Sequence, residues 1–244
     1  MYHLTKPQKS IYNMEKFTGG SVAVICSSIL HTGSISINKL KSAVNMLYRL
    51  NDALRIQIIE DVDGTKQTVK EYLEQDFEVL TFKCVDDFTN YAENYAKEPI
   101  DIYGSLCCMK IVLVENNYGI LVKLHHIIGD AWTMSILAKQ FNALLNEEIP
   151  ETYSYTDYLE AEGMYIKSKK YLKDRAFFVE QFCKCDEVIY LSDKVSGNYR
   201  ASRKTITLSK EVTKQITDVV QNNNSSLFAV MMTLFGTYFS RVKM

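Results

Sequence analysis

The apolar positions of this chain change repeatedly between two spacings. Short runs rich in β-branched residues predict strands, whereas apolar residues repeated every three or four positions predict helices. Strands are predicted at residues 22–30, 54–59, 77–85, 106–114, 118–124 and 204–208. Helices are predicted at residues 37–48, 87–97, 131–145, 169–182, 209–221 and 227–241. This alternation indicates an α/β or α+β fold in which a mixed β-sheet packs against helices.

Three of these segments follow one another closely in the middle of the chain. The strands at residues 106–114 and 118–124 are joined by a polar turn, which predicts a hairpin. The second strand leads directly into a pair of histidines. Asp130 then stands where it can cap the helix predicted at residues 131–145. The histidine pair is therefore expected between a strand end and a helix amino terminus.

The composition of the chain indicates which kinds of partner, and which cellular compartment, to expect. The 28 basic and 29 acidic residues give a formal net charge of -1, which disfavours a nucleic-acid partner. The opening residues have no apolar signal-peptide core, and the apolar runs are shorter than the roughly 20 residues of a membrane span. We therefore expect a cytoplasmic protein with no membrane partner. No linker or repeat divides the chain, which predicts a single folding unit over residues 1–244.

One segment, running from His125 to Thr133, has the residue types of a reaction site. It contains two of the four histidines of the chain. A metal site is disfavoured because neighbouring residues of a strand point in opposite directions, and no C-x-x-C pair occurs among the six cysteines. A structural pair of hydrogen-bonded imidazoles remains an alternative. The place at a strand end favours a reactive role, because a helix amino terminus holds a nearby imidazole neutral and able to accept a proton.

The letters of this segment, H-H-I-I-G-D-A-W-T, resemble the H-H-x-x-x-D-G core of the condensation domains of nonribosomal peptide synthetases. Four further segments are similar to family blocks in the same order, at residues 4–12, 51–55, 99–102 and 155–158. They include matching residues at Gln8, Tyr12, Leu54, Arg55, Tyr155 and Asp157. Ser10 replaces an arginine of the first block, and Ala131 replaces the glycine of the core. The methyl group of Ala131 is expected to crowd the backbone beside the site.

The resemblance implies a fold like chloramphenicol acetyltransferase, in which two similar halves face each other across a tunnel. This chain resembles the amino-terminal half. We therefore expect a truncated domain over residues 1–244 that lacks its carboxy-terminal subdomain and is inactive or nearly so alone. In the family, an amine carried by one carrier protein attacks a thioester carried by another. The expected partners are peptidyl or acyl carrier proteins, the missing half and an adenylation domain. No cofactor or metal is expected to bind the chain directly, since the carriers supply the phosphopantetheine arms.

The resemblance also assigns roles to individual residues. His126 is expected to accept or orient the proton of the attacking amine, and His125 to be structural. Asp130 is expected to cap the helix and to pair with Arg55, with Gly129 and Ala131 supporting the loop. Trp132 is predicted to pack in the core, and Asp157 to cap the helix near Tyr155. Possible substrate or interface contacts are Gln8, Tyr12, Tyr155 and Asp157.

Two other functions remain open at this stage. One is a noncatalytic module that docks a carrier protein through the same fold. The other is an acyltransferase of the same superfamily that uses acyl-coenzyme A. Because the first block begins close to Met1, an initiating unit that accepts a lipid chain is a further expectation.

Overall fold

A computed structural model describes residues 1–18, 22–62, 64–184 and 204–242 of the chain. The chain divides into two compact units, Met1–Leu191 and Ser192–Met244. The strands are β1 (Tyr2–His3), β2 (Val24–Thr32), β3 (Ile56–Asp61), β4 (Gly64–Val69), β5 (Val79–Phe82), β6 (Cys107–Val114) and β7 (Asn117–His125). The helices are α1 (Lys6–Thr18), α2 (Ile37–Leu50), α3 (Val85–Lys97), α4 (Ala131–Leu145), α5 (Tyr155–Ile166), α6 (Lys169–Phe182), α7 (Lys210–Asn222) and α8 (Leu227–Val242).

The larger sheet of the first unit has the strand order β2-β7-β6-β5. Its pairs are antiparallel except for β5 and β6, which run parallel, so the sheet is mixed as predicted. Strand β7 lies between two neighbours, and its residues from Gly119 to His125 are buried. This central strand delivers the histidine pair from the interior of the sheet.

Helices cover both faces of this sheet. Alternate strand residues such as Ile111 and Ile120 pack with α2 and α4 in the main core, which includes Leu47 and Phe141. The intervening strand residues meet α3 on the other face, where Phe88 belongs to a second cluster. This arrangement follows from the two-residue repeat of a strand, which sends neighbouring side chains to opposite faces.

The smaller sheet of the first unit is antiparallel, with the order β1-β4-β3. It was only partly predicted. The predicted strand at residues 54–59 begins as a short 3-10 helix, Asp52–Arg55, before β3. Strand β4 and helix α1 were missed. The strand predicted at residues 204–208 is wrong, because that segment has no regular structure.

Several predicted elements are confirmed. Helices α4 and α6 have the predicted bounds, and α2, α3, α7 and α8 differ from them by two residues or fewer at either end. The β6–β7 hairpin forms as predicted, with Glu115 in a left-handed turn conformation at a φ of 50°. None of the helices that the structure describes is long and apolar enough to span a bilayer.

Candidate active site

His125 is the last residue of β7 and is completely buried. Its Nδ1 atom accepts a hydrogen bond of 3.1 Å from the backbone N–H of Ile127. The ring proton of the neutral imidazole therefore lies on Nε2. That atom faces Oε1 of Glu15 at 3.6 Å, which is too long for a hydrogen bond but within range of an electrostatic contact. Burial lowers the pKa of His125, and Glu15 opposes this shift. The ring of His125 is thus turned into the core.

The neighbouring histidine has the opposite environment. The backbone N–H of His126 donates a hydrogen bond of 2.7 Å to the carbonyl of Ala23, which holds the main chain beside the first residue of β2. The ring of His126 is exposed. The two rings therefore lie on opposite sides of the backbone, which keeps them from sharing a ligand. A fixed main chain with an exposed ring suits a residue that meets a substrate.

Asp130 caps α4 as predicted. Its Oδ1 accepts from the backbone N–H of Thr133 at 2.9 Å, and its own N–H donates to Thr133 Oγ1 at 3.1 Å. These reciprocal bonds form a capping box and satisfy two backbone donors at the start of the helix. The hydrogen bond from the backbone of Thr133 is the main reason that the pKa of Asp130 is lowered.

Gly129 is needed where the loop meets this cap. A Cβ atom built on Gly129 would lie 2.9 Å from Cγ2 and 3.0 Å from Oγ1 of Thr133. Any larger residue would therefore push against the side chain that completes the capping box. Ala131 is the first residue of α4 and is exposed.

The predicted ion pair between Arg55 and Asp130 is wrong: it does not form among the residues that the structure describes. The guanidinium of Arg55 donates to the carbonyls of Lys70 and Arg49, each at 3.0 Å, and to that of Tyr48. It therefore joins the last turn of α2 to the residue that follows β4. The prediction failed because the sequence pattern does not distinguish a carboxylate partner from nearby carbonyl oxygens.

The prediction that Trp132 packs in the core is also wrong. Its side chain is 70% exposed, beside the start of α4, and does not pack in the core. The apolar face of α4 is instead buried through residues such as Leu137 and Phe141. Trp132 lies in the first turn of α4, before the first buried residue of the helix, Leu137.

Gln8 and Tyr12 differ in accessibility. Gln8 is 3% exposed, so its predicted substrate contact is replaced by a structural one. Its Nε2 donates to the carbonyl of Ile127 at 3.2 Å and to Gln67 Oε1 at 2.9 Å. Tyr12 is partly exposed, and its hydroxyl contacts Glu60 and Tyr103, each at 2.9 Å. Only Tyr12 of this pair remains available to a partner.

The start of α5 also differs in detail from the prediction. Ser154, not Asp157, is the cap, since its hydroxyl accepts from the backbone N–H of Asp157 at 3.2 Å. The carboxylate of Asp52 accepts from the N–H of Tyr155 at 2.8 Å and from that of Thr156 at 3.2 Å. Asp52 thus joins the second sequence block to the fourth, a contact that was not predicted from the sequence.

Glu15 is the other residue that was missed. It lies on α1, its side chain is 6% exposed, and it faces the buried histidine ring across 110 positions of sequence. The signal available was a polar residue seven positions after Gln8, on the same face of a helix. No group of three or more potential metal-ligating side chains occurs in the part of the chain that the structure describes.

Comparison with known proteins gives the family. The model of the condensation domain family matches residues 1–244. The chain belongs to the condensation domain family. Condensation domains are amide-forming acyltransferases that act on substrates carried by phosphopantetheine arms. The predicted family and fold class are thereby confirmed, and this chain covers part of the whole domain.

The relatives are synthetases of peptide natural products. Surfactin synthase subunit 1 of Bacillus subtilis (strain 168) is 26% identical, over 99% of this condensation-domain chain and 7% of its own length. Tyrocidine synthase 2 of Brevibacillus parabrevis is 21% identical, over 96% of this chain and 6% of its own length. The chain therefore spans only a small part of these relatives.

Solved structures share the fold at low sequence identity. A variant of the starter condensation domain of rhizomide synthetase RzmA superposes with a TM-score of 0.70 and 20% identity, covering 80% of this chain and 48% of that one. The SgcC5 protein from Streptomyces globisporus superposes with a TM-score of 0.77 and 13% identity, covering 99% of this chain and 60% of that one. The matched part of this chain thus spans about half of each of these structures.

Proposed function

We propose that this chain supplies His126 to a condensation reaction in nonribosomal peptide synthesis. The reaction joins a donor acyl or peptidyl thioester to the amine of an acceptor aminoacyl thioester, each held on a carrier protein. The single observation that carries the proposal is the exposed imidazole of His126 on a main chain fixed at Ala23. A main chain held at the sheet end together with an exposed side chain supports a role in contacting an incoming group.

The chemistry requires one proton to leave the attacking nitrogen. As the amine attacks the thioester carbonyl, a C–N bond forms, the C–S bond breaks, and the carrier thiol is released. A neutral imidazole accepts the ammonium proton or orients the amine, and the departing thiolate takes up a proton. Such assistance is worth about 10²–10⁴ in rate. Loss of the His126 ring should therefore slow the reaction by a similar factor.

The proposal includes a second half-domain. This chain matches 48% of a solved condensation domain, so the tunnel walls opposite His126 would come from the other half of the domain. Carrier proteins and an adenylation domain complete the proposed assembly. The 244 residues alone are expected to be inactive or nearly so.

The direct test uses a complete condensation domain that contains this chain, with two loaded carrier proteins and mass-spectrometric detection of the amide product. His126→Ala should reduce turnover by about 10²–10⁴. His3→Ala is the matched control, because His3 is exposed at the end of β1 and should leave turnover unchanged. Wild-type turnover in His126→Ala would contradict the proposal.

Carrier binding separates catalysis from docking. His126→Ala should bind both loaded carriers with wild-type affinity while losing turnover. In a noncatalytic docking module, the wild type and His126→Ala would bind the carriers equally, and neither would show turnover. The donor that supports turnover then distinguishes the remaining functions. Turnover with acyl-coenzyme A indicates the acyltransferase, turnover with a lipid-loaded carrier indicates an initiating unit, and turnover with a peptidyl carrier indicates an elongating unit.

A further inference from the structure

Helix α1 contacts the histidine loop through polar side chains. Among the residues of α1, all of which lie in the described part of the chain, the buried ones are Gln8 and Glu15. They are seven positions apart and therefore share one face of the helix. Gln8 holds the carbonyl of Ile127, just after the histidine pair. Glu15 lies against the other side of the pair, where it makes two contacts.

The first contact reaches the main chain of His126 through one residue. Oε1 of Glu15 accepts a hydrogen bond of 2.9 Å from the backbone N–H of Ala23. The carbonyl of Ala23 in turn accepts the hydrogen bond of 2.7 Å from the N–H of His126. Ala23 lies immediately before β2, outside the regular β2–β7 ladder. Glu15 therefore fixes a residue that the strand pairing alone does not hold.

The second contact reaches the ring of His125. The same oxygen of Glu15 faces Nε2 of His125 at 3.6 Å. Nε2 is buried and has no hydrogen-bond partner among the residues that the structure describes. Because Nδ1 accepts from Ile127, Nε2 carries the proton and points its positive end toward the Glu15 oxygen. Glu15 thus favours one ring orientation and one tautomer of His125.

We propose that Glu15 is a positioning residue that fixes the main chain of His126 through Ala23 and the ring of His125 directly. The inference rests on the proposed function of His126 and adds a residue outside the histidine motif. Glu15 touches no reacting atom. Its effect is on where the His126 ring stands, and small displacements of a catalytic group are costly, about 10²-fold for 1 Å.

Both contacts of Glu15 require an oxygen acceptor at one position of the side chain. Both fall on Oε1, so a neutral amide with one well-placed oxygen can serve both. Glu15→Gln should therefore preserve the arrangement. Glu15→Ala removes the acceptor of the Ala23 N–H and the oxygen that faces Nε2 of His125, and should free both. Glu93→Gln is the matched control, because Glu93 is exposed on α3.

The first measurement needs no substrate. Hydrogen–deuterium exchange at the C2 position of each histidine ring, followed by mass spectrometry, reports ring accessibility residue by residue. In the wild type, His125 should exchange far more slowly than exposed His126 and His3. Glu15→Ala should accelerate exchange at His125 and at the backbone amide of His126, whereas Glu15→Gln and Glu93→Gln should match the wild type. Wild-type exchange at His125 as fast as that at His3 would overturn the proposal without any variant.

The second measurement is turnover in the complete domain. Glu15→Ala should lower kcat by about 10–100-fold with little change in KM, because placement rather than binding is lost. Glu15→Gln should recover most of the wild-type kcat. Equal losses of kcat in the two variants, or unchanged exchange in Glu15→Ala, would overturn the positioning role. If His126→Ala keeps full turnover while the exchange pattern holds, the proposed function fails and the structural role of Glu15 stands.

Discussion

His125 and His126 are adjacent in sequence and have opposite environments. The strand repeat turns one ring into the core and the other toward solvent. The buried ring is held by Ile127 on one side and faces Glu15 on the other. The two residues therefore differ in accessibility, since His125 lies in the core while His126 is exposed.

Burial of His125 predicts a loss of stability in acid. Its pKa is lowered mainly by burial, whereas the unfolded chain has an ordinary histidine pKa near 6.5. Below about pH 6.5 the unfolded state binds a proton that the folded state resists. The free energy of unfolding should therefore fall as the pH drops from about 6.5 through the lower pKa of the folded state.

Denaturant unfolding followed by circular dichroism at neutral and mildly acidic pH measures this effect. His125→Gln cannot titrate, so its free energy of unfolding should fall less than that of the wild type over the same pH range. Other groups titrate in both proteins and cancel in the comparison. Equal losses in the two proteins would show that His125 is not the group responsible.

The residues around the histidines were unequally predictable. Asp130 was found because a cap is a local pattern, read from the residues that follow it. Glu15 and Asp52 act across 110 and 103 positions of sequence, where no spacing rule connects them to their partners. Arg55 was misassigned because its guanidinium is satisfied by carbonyl oxygens, which every residue possesses.

At the scale of elements, helix α4 is the clearest link from sequence to site. Its capping box closes the loop that begins at His126, so the loop is fixed at both ends. The β6–β7 hairpin and α4 were predicted because both are local. Strand β4 was missed because its residues, Gly64–Val69, are mainly polar and pair at a small sheet with little apolar alternation. Helix α1 was missed because its buried face is polar.

The cap predicts a measurable contribution from Asp130. Asp130→Ala should lower the free energy of unfolding by about 0.5–2 kcal/mol, the usual cost of losing such a cap. Asp130→Asn retains an acceptor for the N–H of Thr133 and should cost less. Chemical denaturation of the three proteins at neutral pH measures the difference.

A double-mutant cycle with Arg55→Ala tests the corrected pairing. Because Asp130 and Arg55 have different partners, the two losses of unfolding free energy should add within about 0.3–0.5 kcal/mol. A larger coupling would restore the ion pair that the structure lacks among its described residues.

At the scale of the whole molecule, the two units differ in how much apolar surface they enclose. The first unit has cores on both faces of its sheet. In the second, α7 and α8 contact each other, and α8 exposes a row of apolar residues at helical spacing. Phe228, Met232 and Phe235 are 74%, 53% and 55% exposed. Contiguous apolar surface of this kind commonly marks an interaction surface.

This surface predicts that the 244-residue chain self-associates. Burying exposed apolar area is favourable at about 25 cal/mol per Å², and a formal net charge of -1 gives little repulsion between copies. Sedimentation velocity should therefore show species heavier than the 28.0 kDa chain, in proportions that rise with concentration.

Phe228→Ser combined with Phe235→Ser should shift the distribution toward the monomer. Thr233→Ser combined with Thr237→Ser is the matched control, since both hydroxyls remain bonded to helix carbonyls and the apolar row is intact. A wild-type chain that sediments as a monomer at every concentration, or a phenylalanine variant that associates like the control, would show that α8 does not drive association.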